Sequence, residues 1–475
     1  MAFRLTRAWT VTLALYASAL VVFLGGPLVG ALPALARPHL WMLLFVPTSF
    51  MAMAAAPVKL PTKILIGLAL GTAAGFLIGP EVVAIKPIGT IFLRLIFMVI
   101  VPLVLASLFV GTQSLGDIRT MGRIGSRTVA FYGLYTLVAA ALGLWLANVI
   151  QPGAGLTPEA QQELMGSFGQ AAQAKLGTIQ KPSLADTIVG IVPKNIVTGM
   201  ASDPPNMLQI VFFAIMAGVA AMMIPGKDEK KKAVVDFFEG VFEVSLQMIN
   251  IAIKLAPYAV FALIADVVGM FGFDVLLLLT KYTLVTIGGL ALLFLSYIPL
   301  TYFTTPLNIT GFLRGIWPVM TIAFSTSSSA ASLPIMMETC QERLGVSKRI
   351  VNFVLPLSIT VNMNGSALYQ AVSAVFIAQV YGIPLSLVDQ CVIVVMATLS
   401  AIGAPGVPGA SFMMLVVVLS QVGVPIEGVA LVLGVERILD MLRTTVNIVG
   451  DSTAAVVLAE WEGELDAPPE LLKAR

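Results

Sequence analysis

The chain has 475 residues, 58% of them hydrophobic and only 11% charged, with a formal net charge of +2 and a mean hydropathy of +0.96. Soluble proteins carry about 25% charged residues, so this is the composition of a polytopic membrane protein, and the net charge is too small to argue for nucleic acid. Cys340 and Cys391 make neither a disulfide framework nor a metal cluster, and the single histidine, His39, excludes histidine-based metal sites and most histidine-based catalysis. Neither G-x-S-x-G nor H-E-x-x-H occurs.

Residues 1–58 hold two apolar stretches, 9–33 and 40–58, separated by Arg37, Pro38 and His39. Arg4 and Arg7 precede them and Lys59 and Lys63 follow, so a transmembrane hairpin with both flanks cytoplasmic satisfies the positive-inside rule. The rival is a signal peptide ending at Ala34-Leu35-Ala36, for which the apolar region is long. Apolar spans follow near 64–80, 88–113 and 128–150, with Arg119, Arg123 and Arg127 placing one connection inside. Residues 151–205 read as a polar outer loop. A span at 207–224 ends at the charged turn 226–232, which reads as a solvated cytoplasmic turn. Residues 234–275 form a helical stretch interrupted at Pro257, and 277–303 another span.

From there the pattern changes. Ser325–Pro334 and Ala401–Ser411 are apolar yet broken by small residues and prolines, and each precedes a polar-studded helix, 349–380 and 426–461. Unwound backbone at membrane depth cannot face lipid, but it can line a cavity, and matched interruptions in two repeats point to a transport site. Within the first helix, Asn362-Met363-Asn364-Gly365-Ser366 places polar side chains where glycine loosens the backbone, an oxygen-rich set suited to a hard monovalent cation.

The last helix carries the chemistry. At about 100° per residue, Asp440, Arg443, Thr444, Asn447 and Asp451 share roughly a third of its circumference. A charge at mid-bilayer costs roughly 2.5–3.5 kcal/mol, and such residues mostly face a cavity that handles a ligand or ion. The face suggests recognition of a zwitterion with an extra carboxylate. The plain alternative is a salt-bridge ladder in which Arg437 and Arg443 neutralise Asp440 and Asp451, but an asparagine and two threonines exceed what a lock requires. The binding reading expects Asp440 and Arg443 to stand open to a ligand instead of to each other, with a hollow between the two tips.

The serine-rich tip, Asn-Met-Asn-Gly-Ser at 362–366, Gly-Val-Pro-Gly at 406–409 and Asp440-Met-Leu-Arg443-Thr444-Thr-Val-Asn447 together resemble the glutamate transporter family, the dicarboxylate/amino acid:cation symporters, from about Lys59 to Glu464. The resemblance implies an all-α polytopic membrane protein with eight family transmembrane helices and two re-entrant helical hairpins, assembled as a homotrimer. The N-terminal extension, 1–58, would add a transmembrane hairpin. Scaffold helices would occupy 59–126 and, with an extracellular loop, 151–275. The transport domain would comprise 127–150 and 276–462, with hairpins near 309–345 and 388–423, the second acting as extracellular gate. Residues 463–475 would form a cytoplasmic tail.

Carried over by position, Arg443 would grip the substrate's side-chain carboxylate, and Asp440 its ammonium. Asn447 with the Ser329 backbone would hold the α-carboxylate, and Thr444, Ser366 and the Val407 backbone would complete the pocket. One cation site would use Asp451 and Asn362 with the carbonyls of Ser358 and Asn447. The other would use carbonyls of Thr360, Met363, Ala401, Ile402 and Ala404. A third, built on Tyr132, Thr136 and position 364, is expected to be weak or absent, because Asn364 replaces the aspartate usual in sodium-coupled members and Tyr135 a small hydroxyl residue. Ser411 replaces a glycine common in archaeal members.

The function expected is elevator-type symport of L-glutamate and/or L-aspartate with Na⁺ in a bacterial inner membrane. Alternatives are coupling to H⁺ and transport of C4-dicarboxylates, the latter leaving Asp440 without an amine to neutralise. An ion channel is disfavoured because paired cation and anion binders impede both signs. An enzyme is disfavoured because Ser327–Ser329 have no histidine or lysine partner.

Overall fold

The computed structural model describes residues 36–58, 60–121, 123–156, 189–190, 192–202, 205–224, 228–402, 404, 406 and 408–473. The first apolar stretch, 9–33, and the outer loop from 157 to 188 lie outside them. In chain order the helices are α1 (Ala36–Ala55), α2 (Leu60–Ile78), α3 (Lys86–Met121), α4 (Arg123–Ile150), α5 (Ile196–Ala201), α6 (Met207–Met222), α7 (Asp228–Ile253) and α8 (Ala256–Phe271). Then come α9 (Phe273–Thr304), α10 (Ile309–Thr326), α11 (Ser329–Glu338), α12 (Lys348–Val361), α13 (Asn364–Val380), α14 (Leu387–Ile402), α15 (Ala410–Gln421) and α16 (Val429–Glu462). Among the described residues there is no strand beyond two isolated bridges.

A span needs about 20 apolar residues. Thr62–Val110, Ile124–Ile150 and Val275–Thr304 meet that by length and composition, and Glu229–Ile253 with Ala256–Met270 meets it as a pair bent by 59°. The bend falls just before Pro257, which sits in the first turn of α8, where a missing N–H costs nothing. Arg37, Pro38 and His39, expected to separate two stretches, lie inside the first turn of α1.

The chain forms two units, one of residues 1–98, 247–280 and 430–437, the other of 99–246, 281–429 and 438–475. In the first unit, glycines at 67, 71 and 75 line one stripe of α2. A Cβ at these positions would lie 2.3, 2.5 and 2.8 Å from the carbonyl oxygens of Pro257, Phe261 and Ala265, so only glycine lets α2 and α8 meet backbone to backbone.

In the second unit α13 is buried at nearly every position, its polar side chains included. Gly143 of α4 packs against it so closely that a Cβ would lie 2.5 Å from Leu368 O. The helix expected over 349–380 is divided here. Asn362 and Met363 leave helical geometry, and α13 restarts at Asn364. Gly365, expected to loosen the backbone, is helical. Its role is close approach, since a Cβ there would lie 3.0 Å from Arg443 O of α16.

The segment after α16, expected as a tail, is a strap. Glu464 accepts from Ser347 N (3.1 Å), and Asp466 N donates to Gly345 O (2.8 Å). Farther on, Asn308 N donates to Leu471 O (2.8 Å) and Lys473 N to Pro306 O (3.0 Å). The Glu464 carboxylate takes Ser347 Oγ (2.5 Å) and Arg349 Nη1 (3.1 Å). The strap therefore ties both ends of the α10–α11 hairpin, at Asn308 and at Ser347. Gly345, with φ +74°, makes room for it, because a Cβ would lie 2.0 Å from Asp466 O. Gly345→Ala is expected to lower the thermal midpoint by at least about 2–4 °C through backbone strain and loss of the strap. An unchanged melting curve would mean that the strap carries no stability.

Candidate functional site

Helical spacing puts Asp440, Arg443, Thr444, Asn447 and Asp451 on the buried face of α16, and packing against α13 and the two hairpins removes them from water. Arg443 is 1% exposed and Asp451 1%. Two tips converge on this face. At the first, α10 ends at Thr326 and α11 begins at Ser329. Ser327 between them adopts φ +52°, an uncommon conformation for a residue with a side chain and one found at functional sites. Its buried hydroxyl has no hydrogen-bond partner. At the second tip, Gly406 O accepts from Ala330 N (3.1 Å) and Ser328 Oγ (2.8 Å), so the tips are joined directly. Gly409, with φ +78°, caps α15 and donates its N–H to Asp440 Oδ2 (3.1 Å).

Together these elements bound a small polar hollow, open at its mouth and with room for about one water. Ser329, Ser366, Asp440, Arg443, Thr444 and Asn447, all expected in the pocket, line it. Val407 lies outside the described residues.

One expectation is corrected. Asp440 and Arg443 do not stand apart, for Arg443 Nη2 donates to Asp440 Oδ1 at 2.6 Å. Three residues apart on one helix, an acid and a guanidinium are neighbours, and in a low dielectric their attraction brings them together. The hollow nonetheless persists between the tips, with both partners on its wall. Arg443 also lies over the Tyr369 ring, 4.3 Å from its centroid. That face of the guanidinium is shielded by the ring, and Arg443 is among the residues that line the hollow.

The polar side chains around the pair are linked. Asn447 Oδ1 accepts from Gly365 N (2.7 Å), and Asn447 Nδ2 donates to Ser366 Oγ (3.3 Å). Farther along α16, Asp451 Oδ1 accepts from Asn362 Nδ2 at 2.7 Å. Asp451 Oδ2 and Asn362 Oδ1 are buried with no hydrogen-bond partner. Two orphaned acceptors, one of them on a carboxyl group, fit a cation cargo. The backbone set at Thr360, Met363, Ala401, Ile402 and Ala404 lies at the C-terminal ends of α12 and α14 and just beyond, where carbonyls lack onward helical partners and the helix end is negative. The second tip is pressed against the first of these ends, since a Cβ on Gly406 would lie 3.3 Å from Ile359 O.

The third group is only partly assembled. Thr136 Oγ1 donates to Asn364 Oδ1 (2.7 Å), and Asn364 Nδ2 donates to Tyr297 Oη (2.9 Å). Tyr132 turns its hydroxyl to Val354 O (3.0 Å). The Asn364 amide is thus spent on neutral partners. Tyr135 bonds Ser296 (2.9 Å).

Sequence reasoning missed Tyr369 and the place of Ser327, Met363 and Ser411 in the pocket wall. Tyr369 follows Ser366 by three residues and so shares its face of α13, a signal that was available. Among the described residues no group of three or more His, Cys, Asp or Glu is placed to hold a metal.

The sodium:dicarboxylate symporter family model matches residues 60–461. A proton/sodium-glutamate symport protein of Bacillus caldotenax is 38% identical over 421 residues, 86% of this chain and 95% of its own length. The proton/glutamate-aspartate symporter of Escherichia coli (strain K12) is 37% identical over 395 residues, 82% of this chain and 88% of its own. A C4-dicarboxylate transport protein of Anaeromyxobacter sp. (strain K) is 31% identical over 408 residues, 85% of this chain and 90% of its own.

Proposed function

This chain belongs to the sodium:dicarboxylate symporter family, an integral membrane transporter and not an enzyme, and from that premise we propose that it imports L-glutamate and/or L-aspartate together with Na⁺. The observation that carries this reading is the Asp440–Arg443 pair on the wall of a hollow between two joined tips. An acidic amino acid offers each partner its complement. The guanidinium fork passes from Asp440 to the substrate carboxylate, where it bonds both oxygens, and Asp440 takes the ammonium instead. A C4-dicarboxylate satisfies Arg443 but brings no ammonium to Asp440.

Charge balance supports cation coupling. Arg443 cancels one of the two carboxylates, Asp440 and Asp451, and an acidic amino acid adds another negative charge. Two negative charges then remain in a desolvated site, and two monovalent cations cancel them. The Asp451–Asn362 pair with the carbonyls of Ser358 and Asn447 is one place for them, and the carbonyls at the ends of α12 and α14 are another. The Tyr132, Thr136 and Asn364 group lacks the charge a third cation needs.

Within this proposal the protein works as a homotrimer in the bacterial inner membrane. The segments 127–150 and 276–462 move across the bilayer as a transport domain, and the α14–α15 hairpin gates the pocket from outside. Arg127, Arg349 and Lys473 cluster near the strap, and the positive-inside rule puts that end in the cytoplasm.

Uptake of labelled glutamate, aspartate and succinate into proteoliposomes, with Na⁺ and pH gradients imposed separately, tests the reading. A Na⁺ gradient alone is expected to drive concentrative uptake of an acidic amino acid. Uptake driven only by a pH gradient would replace Na⁺ with H⁺, succinate without amino acids would make the protein a dicarboxylate symporter, and non-saturating downhill flux would sink symport altogether.

A further inference from the structure

Ser411 stands in the first turn of α15, two residues past the Gly409 that caps the helix, and is 4% exposed. Its hydroxyl donates to Ser366 Oγ at 2.7 Å, and Asn447 Nδ2 donates to the same oxygen at 3.3 Å. Ser366 Oγ thus accepts two hydrogen bonds, which is the capacity of a hydroxyl. Among the described residues its own hydrogen has only Met363 Sδ, 3.7 Å away, and a thioether is a weak acceptor. Ser411, Ser366, Met363 and Asn447 all line the hollow.

This arrangement is lopsided. A hydroxyl that accepts twice has a polarised O–H, and a bond from it to an anionic oxygen is about twice as strong as a neutral one. The same loading leaves Ser366 no lone pair for an incoming N–H. We propose that Ser411 determines specificity at this pocket, by holding Ser366 as an obligatory donor that favours a substrate's side-chain carboxylate over the corresponding amide. The inference rests on the pocket assignment above and deepens it. Ser411 acts through Ser366 and is a positioning residue. Because it rides on the second hairpin, the filter is complete only while that arm is docked.

The experiment compares wild-type protein, S411A and S411T in proteoliposomes, measuring KM and kcat for aspartate and glutamate and inhibition constants for asparagine and glutamine. S411A is expected to raise KM for the acid roughly two- to threefold, because the Ser366 bond remains and only its cooperative strengthening, about 10–30%, is lost. Amides should bind equally or better, so the acid-to-amide ratio falls, with kcat within about twofold, while S411T, which keeps the hydroxyl, retains the wild-type ratio. An unchanged ratio in S411A, a fall in kcat alone, or an S411T as permissive as S411A would overturn the proposal. A wild type that accumulates succinate instead is tested in the same way against succinamate. A wild type that accumulates none of these acids sinks the transport reading and this inference together, whereas normal wild-type uptake with an indifferent S411A sinks only the inference.

Discussion

Arg443→Cys is expected to lower glutamate and aspartate uptake at least about 100-fold and to admit small neutral amino acids such as serine or cysteine. Each hydrogen bond from a guanidinium to a carboxylate is worth about 1.5–3 kcal/mol. Loss of both prongs of the fork therefore reaches about 3 kcal/mol at the least, or roughly two orders of magnitude in affinity. The substitution also removes the bulk that lies over Tyr369, while the Gly409 N–H to Asp440 remains. Because Asp440 and Arg443 are in contact at 2.6 Å, breaking the pair also threatens folding, since removing one partner of a buried ion pair costs about 3–5 kcal/mol. Gained uptake of neutral substrates separates the two effects, for an unfolded protein transports nothing. Retained uptake of acidic amino acids within about threefold of wild type would show that the guanidinium serves only its intramolecular partner.

Asp451→Asn is expected to raise the Na⁺ concentration for half-maximal uptake at least about tenfold, with a smaller effect on the substrate KM at saturating Na⁺. The exchange keeps the shape of the side chain and its contact with Asn362 (2.7 Å) while removing the charge. In the native chain, Asp451 Oδ2 and Asn362 Oδ1 are buried without donors, each at a cost of about 1–3 kcal/mol. A bare cation offsets both costs at once, and the carboxylate supplies the charge that compensates its lost hydration. The amide would turn an N–H toward the place a cation must occupy. The check is the Na⁺ dependence of uptake in proteoliposomes under a fixed voltage. An identical half-saturation in the variant would remove Asp451 from cation binding and leave it a helix-packing group.

How much was legible in advance depends on the range of the interaction. The charged face of α16 could be read from spacing alone, because helical geometry relates Asp440 to Asp451 whatever surrounds them. The loosened backbone was expected across 362–366 and attributed to Gly365, whereas the break falls at Asn362 and Met363 and Gly365 is helical. A glycine signals backbone freedom and close approach equally, and only the neighbour at Arg443 O distinguishes them. The contact between Asp440 and Arg443 was available as an i,i+3 pair. Their charges prescribe attraction, and sequence cannot say how far neighbouring walls hold them apart.

The amino-acid sequence by itself determined a helical membrane protein with a polar stripe on its last helix and two interrupted hairpins, since hydropathy and helical period are properties of single segments. Only the tertiary structure decided that Ser411 loads Ser366, that Tyr369 covers Arg443, and that residues 464–473 close over the base of the first hairpin. Those contacts join residues far apart in the chain. Their existence depends on how whole helices pack, a choice made by the summed burial of many side chains rather than by any local pattern.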